Sequence, residues 1–184
     1  GGIFVEVGTY LGDFAVDVME FCHPSKLYCV DPYRSYDDFK DADNFRALDD
    51  VFAAAQARTA HYGKRVEFLR EFSEMAAPRF ADASLDFVYI DGNHSYPYVL
   101  KDLEIWYPKL KAGGLLCGDD AVDTDPDSAR DAVGDVVRVW SRDASGQPES
   151  WGHYGVLKAL RDFAAPRALE PTVIGTQFLI FKPA

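Results

Sequence analysis

The stretch Ile3-Phe4-Val5-Glu6-Val7-Gly8-Thr9-Tyr10-Leu11-Gly12-Asp13 decides how this chain is read, because an apolar run breaks into two glycines where a helix should begin. A strand, a tight turn and a helix start bring backbone N–H groups and the positive end of a helix against a polar ligand. Glycine in such a turn lets the ligand approach without a Cβ in the way. The spacing departs from GxGxxG, which suits a pyrophosphate, since Thr9, Tyr10 and Leu11 separate Gly8 from Gly12. The implied ligand is a nucleoside-containing cofactor other than a dinucleotide. Taken alone, the segment also fits a Gly-bearing turn in any α/β protein.

Working outward, strand-like apolar runs alternate with segments of helical period. Strands are predicted at 3–7, 27–31, 66–69, 85–90 and 114–118, with helices at about 13–22, 44–62, 73–80 and 96–110 between them. Repeated β-α units of this kind predict an α/β fold with a Rossmann-like, doubly wound, mostly parallel sheet. The tail changes character. A helix at 154–164 precedes Thr172-Val173-Ile174, a Gly175-Thr176 turn and Gln177 to Lys182, which reads as a hairpin and makes the last strand antiparallel. The segment from about 121 to 153 is rich in Asp, Ser, Gly and Pro yet contains Val136-Val137-Arg138-Val139-Trp140. It is too long and too aromatic for a simple connection, so a lid or substrate-binding insertion is expected within a single domain spanning 1–184.

Composition narrows the partners. With 184 residues the chain buries one good core rather than two. A net charge of −11 repels phosphate backbones, which argues against nucleic acid and for a small-molecule substrate. Cys22, Cys29 and Cys117 show no CxxC spacing and lie in or beside apolar runs, so buried thiols in a reducing compartment are expected. No apolar stretch approaches the roughly 20 residues that span a bilayer. The expectation is a soluble, cytoplasmic protein with no membrane partner, compatible with a homo-oligomer. The sequence opens just before its first strand, which leaves open any helices preceding it in a longer chain.

Several polar residues fall where strands should end. Asp31 follows the second strand, about 20 residues beyond the Gly turn, where a carboxylate can accept hydrogen bonds from both ribose hydroxyls; an Asp before Pro32 is also a common turn former. Phe72 and Ser73 follow the third strand, although Ser73 could equally be an N-cap. Tyr89-Ile90-Asp91-Gly92-Asn93-His94-Ser95-Tyr96 and Leu115-Leu116-Cys117-Gly118-Asp119-Asp120 both follow apolar strands, whose carboxyl ends face one crevice in an open α/β sheet. Asp91, Asp119 and Asp120 would repel one another there unless a cation sat among them. Hard oxygen ligands favour Mg²⁺, with Ca²⁺ or Mn²⁺ as alternatives. His94 is either a general base in that crevice or a helix-start residue, and Asp119-Asp120 could be turn residues.

These motifs have a family likeness. The stretch Glu6 to Gly12 resembles the first motif of class I S-adenosylmethionine-dependent methyltransferases, whose sheet runs in the order 3-2-1-4-5-7-6. The segment Ile90 to Asp120 is similar to the bacterial group called methyltransferase family 24 and to the Mg²⁺-dependent catechol and macrocin types of O-methyltransferase. The resemblance implies methyl transfer from S-adenosylmethionine to a small-molecule hydroxyl. By it Glu6, Gly8, Tyr10 and Gly12 would hold the methionine end of the cofactor, Asp31 the ribose, and Phe72 with Ser73 the adenine edge. Asp91 would face cofactor and ion together, with Asp119 and Asp120 completing the metal site. Catechol-type enzymes have Asn as the third ligand, where Asp120 stands here, and their catalytic Lys is replaced by His94. Two rivals remain at this stage: a nicotinamide-dependent oxidoreductase, for which GxGxxG and a parallel last strand are missing, and a cofactor-binding module without catalysis.

Overall fold

The computed structural model describes residues 1–34, 47–121, 136–142, 144–145 and 148–184. Its strands in chain order are β1 (Ile3–Val7), β2 (Lys26–Val30), β3 (Val66–Leu69), β4 (Leu85–Ile90), β5 (Leu110–Gly118), β6 (Val136–Arg142), β7 (Pro148–Tyr154), β8 (Thr172–Ile174) and β9 (Gln177–Phe181). Seven of them form one sheet in the order β3-β2-β1-β4-β5-β9-β8. Pairing is parallel from β3 through β5, and β9 runs antiparallel to both β5 and β8. This is the expected 3-2-1-4-5-7-6 arrangement, because the extra pair β6-β7 forms a separate two-stranded antiparallel sheet inside the 121–153 segment.

The helices are α1 (Asp13–Asp17), α2 (Leu48–Thr59), α3 (Ser73–Ala76), α4 (Tyr96–Trp106) and α5 (Val156–Ala164). On α5 the residues Val156, Ala159, Leu160 and Phe163 are buried at the i, i+3, i+4, i+7 spacing of one helical face. They join Leu103 and Trp106 of α4 and Leu116, Phe178 and Ile180 of the sheet in the main core. A second cluster, Ala15, Val18, Met19, Leu27 and Cys29, packs α1 on the opposite flank of β2.

Several boundaries differ from the sequence reading. The helix expected at 96–110 ends at Trp106, because Pro108 cannot supply the N–H that would continue it, and a 3-10 turn carries the chain to β5 at Leu110. β5 therefore begins four residues before the expected 114, with a register shift against β4 between Leu85 and Phe87. The helix after β1 relaxes into a π-helical turn at Val18–Cys22, and Cys22 is exposed rather than buried. The early part of the helix expected from 44 lies outside the described residues. Among the described residues no helix is long and apolar enough to cross a membrane.

Candidate active site

The sheet reverses its winding between β1 and β4, and their carboxyl ends open a crevice there. The crevice is a cavity of about 310 Å³ lined by the residues that leave β1 through β4, among them Gly8, Tyr10, Asp31, Phe72, Asp91 and His94. Gly8 has φ +89°, and its N–H donates to Val30 O at 2.8 Å. A Cβ on Gly8 would lie 2.0 Å from Asp91 O and 2.4 Å from Asp91 C. The glycine is thus demanded first by the backbone leaving β4, which runs against the turn.

Asp31 ties that turn to β2. Its Oδ2 accepts from Tyr10 N at 2.9 Å and its Oδ1 from Tyr33 N at 2.7 Å, while Tyr33 Oη donates to Tyr10 O at 3.0 Å. Tyr10 and Tyr33 both hold φ +48°, so the carboxylate stabilises two left-handed residues at once. Burial raises the Asp31 pKa, and these backbone N–H groups oppose that rise. An ionised carboxylate has about four acceptor positions, and the N–H groups of Tyr10, Tyr33 and Thr9 take three, so about one remains for a ligand.

Glu6 and Gly12 do not line the cavity. Glu6 is only 2% exposed and sits beneath the turn. Burial pushes its carboxyl well above the ordinary glutamate range, against the lowering effect of a hydrogen bond with Thr9. The carboxyl that the sequence assigned to the methionine end thus lies under the Gly8 turn rather than on the cavity wall. Gly12, at φ +77°, precedes α1 and donates its N–H to Thr9 O.

Ser73 lines the cavity but spends its hydroxyl inward. Its Oγ accepts from Trp106 Nε1 at 2.7 Å and is hydrogen-bonded to Asp102 on α4. It is not the N-cap of α3, that position being Phe72. Burial raises the Asp102 carboxyl to about 7, with the Ser73 hydroxyl opposing the shift. Asn93 also lines the cavity; its Oδ1 accepts from Ser95 N, and its buried Nδ2 has no partner among the described residues.

The acidic cluster differs from the expected one. The ligand atoms of Asp91, His94 and Asp120 lie within 4.8 Å of one another. His94 Nε2 is 3.2 Å from Asp91 Oδ1, and Nδ1 is 3.0 Å from Asp120 Oδ2. Asp119 Oδ1 instead accepts from Asp120 N at 2.7 Å, which helps hold Asp120 at φ +55°. His94 has taken the place in the cluster that the sequence assigned to Asp119. Burial lowers its pKa, but the bonds and charges of Asp120 and Asp91 outweigh that and raise it to about 9. With no cation beside them, the two carboxylates favour the protonated ring over the neutral imidazole that a general base requires.

Sequence reading missed Tyr33, Asn93, Tyr98, Lys101 and Asp102 as lining residues. Asp102 had a legible signal, being a carboxylate on the helical face that carries Val99, Leu103 and Trp106.

A doubly wound sheet ending in an antiparallel strand, with a Gly turn and a strand-end carboxylate on one crevice, defines a Rossmann-like α/β fold with its crevice at the switch point. The chain belongs to the methyltransferase domain family, whose match spans residues 5–121, and it is a class I S-adenosylmethionine-dependent methyltransferase. Similar solved structures include the O-methyltransferase NovP, at 15% identity and TM-score 0.63 over 100% of this chain and 73% of that one. A provisionally assigned caffeoyl-CoA O-methyltransferase from Staphylococcus aureus superposes at TM-score 0.64 with 15% identity, over 98% of this chain and 75% of that one. The 1,6-didemethyltoxoflavin-N1-methyltransferase of Burkholderia thailandensis, solved with S-adenosylhomocysteine, gives 0.55 at 12% identity over 100% and 72%. No curated protein sequence matches the chain. The family assignment removes the nicotinamide-dependent alternative.

Proposed function

We propose that this enzyme methylates a hydroxyl of a small molecule, with a divalent cation held beside the cofactor. The observation that carries the proposal is the Asp91, His94 and Asp120 cluster at the carboxyl ends of β4 and β5, on the rim of the cofactor cavity. NovP, similar in fold, is an O-methyltransferase, which agrees with this choice of acceptor. The residues fit both groups. Asn93 Nδ2 is a buried donor on the cavity wall without a partner among the described residues, and the ligand atoms of the cluster already lie within 4.8 Å of one another.

S-adenosylmethionine supplies a methyl already activated by its sulfonium, so the protein mainly has to align the acceptor oxygen and remove its proton. Gly8 and Tyr10 would line the methionine end, Gly12 and Glu6 would shape that turn from outside the cavity, Asp31 would take a ribose hydroxyl, and Phe72 and Ser73 would border the base. Asp91 and Asp120 would hold a divalent cation such as Mg²⁺ with His94 or Asp119 beside them, and the cation would lower the hydroxyl's pKa. Once the two carboxylates are compensated in this way, His94 can lose its proton and stand as the acceptor for the hydroxyl's proton. The hairpin β6-β7 supports a substrate-covering role, since its exit is anchored at the site by Gly155 N donating to His94 O at 2.8 Å.

The test is a panel of phenols, sugars and amines incubated with methyl-labelled cofactor, with and without chelator. Methylation of hydroxyl compounds that stops with chelator and returns with Mg²⁺ or Mn²⁺ is expected. Transfer confined to amines, or unaffected by chelator, refutes the proposal.

A further inference from the structure

Asp102 is a buried carboxyl for which neither the fold nor methyl transfer supplies a reason. It is 7% exposed, yet it lines the cavity from α4, and the Ser73 hydroxyl is its hydrogen-bond donor among the described residues. Burying a carboxyl with so little compensation costs free energy that an apolar side chain would spare. Its place along the cavity says what it can serve. The cofactor's ribose lies between its amino-acid tail and its base. The strand ends follow the same order, with Gly8 after β1, Asp31 after β2 and Ser73 after β3. With the ribose at Asp31 and the tail at Gly8, the base must lie towards β3, where Phe72 and Ser73 face Tyr98, Lys101 and Asp102 of α4.

We propose that Asp102 is the residue that selects adenine, accepting a hydrogen bond from the exocyclic N6 amino group through the carboxyl oxygen not engaged by Ser73. The inference rests on reading this cavity as the S-adenosylmethionine site. Glu71, the acidic residue nearest to the end of β3, is engaged by Arg79 and does not line the cavity, so it leaves this task open. Lys101 is paired with Glu74 at the rim, which keeps its ammonium from neutralising Asp102 directly. The relay from Trp106 Nε1 to Ser73 Oγ to Asp102 holds one carboxyl oxygen in place, which would leave the other to meet the base from the cavity wall that Asp102 lines. A hypoxanthine base would place its O6 carbonyl against that acceptor, setting two acceptors face to face.

Calorimetric titration of the full chain at pH 8 with S-adenosylhomocysteine and with S-inosylhomocysteine tests this. The wild-type protein should prefer the adenosine compound by about tenfold or more, as one hydrogen bond to a charged group provides. Asp102→Leu, which keeps side-chain bulk and removes the acceptor, should bring the two ligands to within about threefold of each other by weakening the adenosine compound alone. Asp102→Asn leaves its one oxygen with Ser73 and turns an amide donor to the base, so it should lose or invert the preference. Equal weakening of both ligands by Asp102→Leu would show that the residue only ties α3 to α4 and would overturn the proposal. So would a preference that survives that substitution, or a wild-type protein without one. Failure of S-adenosylhomocysteine to bind wild-type protein at all would instead overturn the cofactor reading, and the role of Asp102 with it.

Discussion

Gly8→Ala is the perturbation that most directly tests how this site is built. An alanine there would carry φ +89° and place its Cβ 2.0 Å from Asp91 O and 2.4 Å from Asp91 C. The left-handed torsion alone costs about 1–2 kcal/mol for a residue with a Cβ. Backbone atoms cannot swing aside as a flexible side chain would, and forced overpacking typically adds about 1–3 kcal/mol. The sum, about 2–5 kcal/mol, is a large part of the roughly 5–15 kcal/mol that holds a domain folded. Relief can come only by moving the exit of β4 away from β1, which displaces Asp91 and the cluster it belongs to. Gly63 and Gly12 are the controls. Gly63 has φ +58° with nothing within 4 Å of a new Cβ, and Gly12 has φ +77° with its nearest contact an ordinary 3.5 Å from Ala55 Cβ. Their alanine variants should bear a torsional cost only, about 1–2 kcal/mol for Gly12 in the left-handed region and about 1–3 kcal/mol for Gly63, whose ψ of −132° lies outside it. Urea denaturation of the three variants, with S-adenosylhomocysteine titrated into each, separates the effects. Gly8→Ala should be the least stable and should lose ligand affinity, whereas Gly63→Ala should bind as the wild type does. A Gly8→Ala protein no less stable than Gly63→Ala would refute the reasoning that the β4 backbone demands this glycine.

Further outcomes follow from the same geometry. Asp31→Ala removes the acceptors for Tyr10 N and Tyr33 N and should cost about 1–3 kcal/mol together with most of the cofactor affinity, measured by thermal melts with and without S-adenosylhomocysteine. Asp120→Asn should weaken Mn²⁺ binding about tenfold or more by calorimetry, and Asp119→Asn should weaken it less, since only Asp120 stands in the cluster. In chelator, His94 has a folded pKa of about 9 against an ordinary 6.5. Its contribution is therefore complete below pH 6.5 and is lost as pH rises through 9, on the order of 3 kcal/mol in all. His94→Gln should flatten the stability profile between pH 7 and 9, and equal slopes for the two proteins would exclude the double ion pair. Glu6 has its pKa raised by burial, so its destabilising effect grows as pH climbs above the ordinary glutamate value. Glu6→Gln should accordingly melt higher than wild type at pH 8 and show less gain at pH 5.

Much of the fold was legible because its signals are local. The apolar runs at 3–7 and 85–90, the helix-period face of α5 and the Gly175-Thr176 turn each lie within a few residues, and their alternation predicts the β-α order without any knowledge of contacts. The limits of the reading lie where a distant element intervenes. Asp119 and Asp120 are adjacent in sequence and looked equivalent, but a left-handed torsion at Asp120 and the bond from its N–H to Asp119 Oδ1 separate their roles. Ser73 offered itself as a cap, but Phe72 holds that position and the Ser73 hydroxyl bonds to Trp106 and Asp102 of α4.

The sequence by itself determined the class of fold, the place of the glycine turn and the positions at which polar chemistry leaves the strands, because periodicity and turn chemistry act over a few residues. Only the tertiary structure decided which of those polar groups meet. The parallel pairing that sets Val7 beside Ile90 brings Gly8 against the Asp91 backbone, and the pairing of Ile90 with Gly118 carries Asp120 to His94. These encounters join segments far apart in the chain, and side-chain direction at a strand's end depends on the torsions of the turn that follows it. That is why a reading of spacing could place carboxylates at one edge of the sheet, but could not foresee that a histidine would stand between two of them and that a glutamate would vanish beneath the turn.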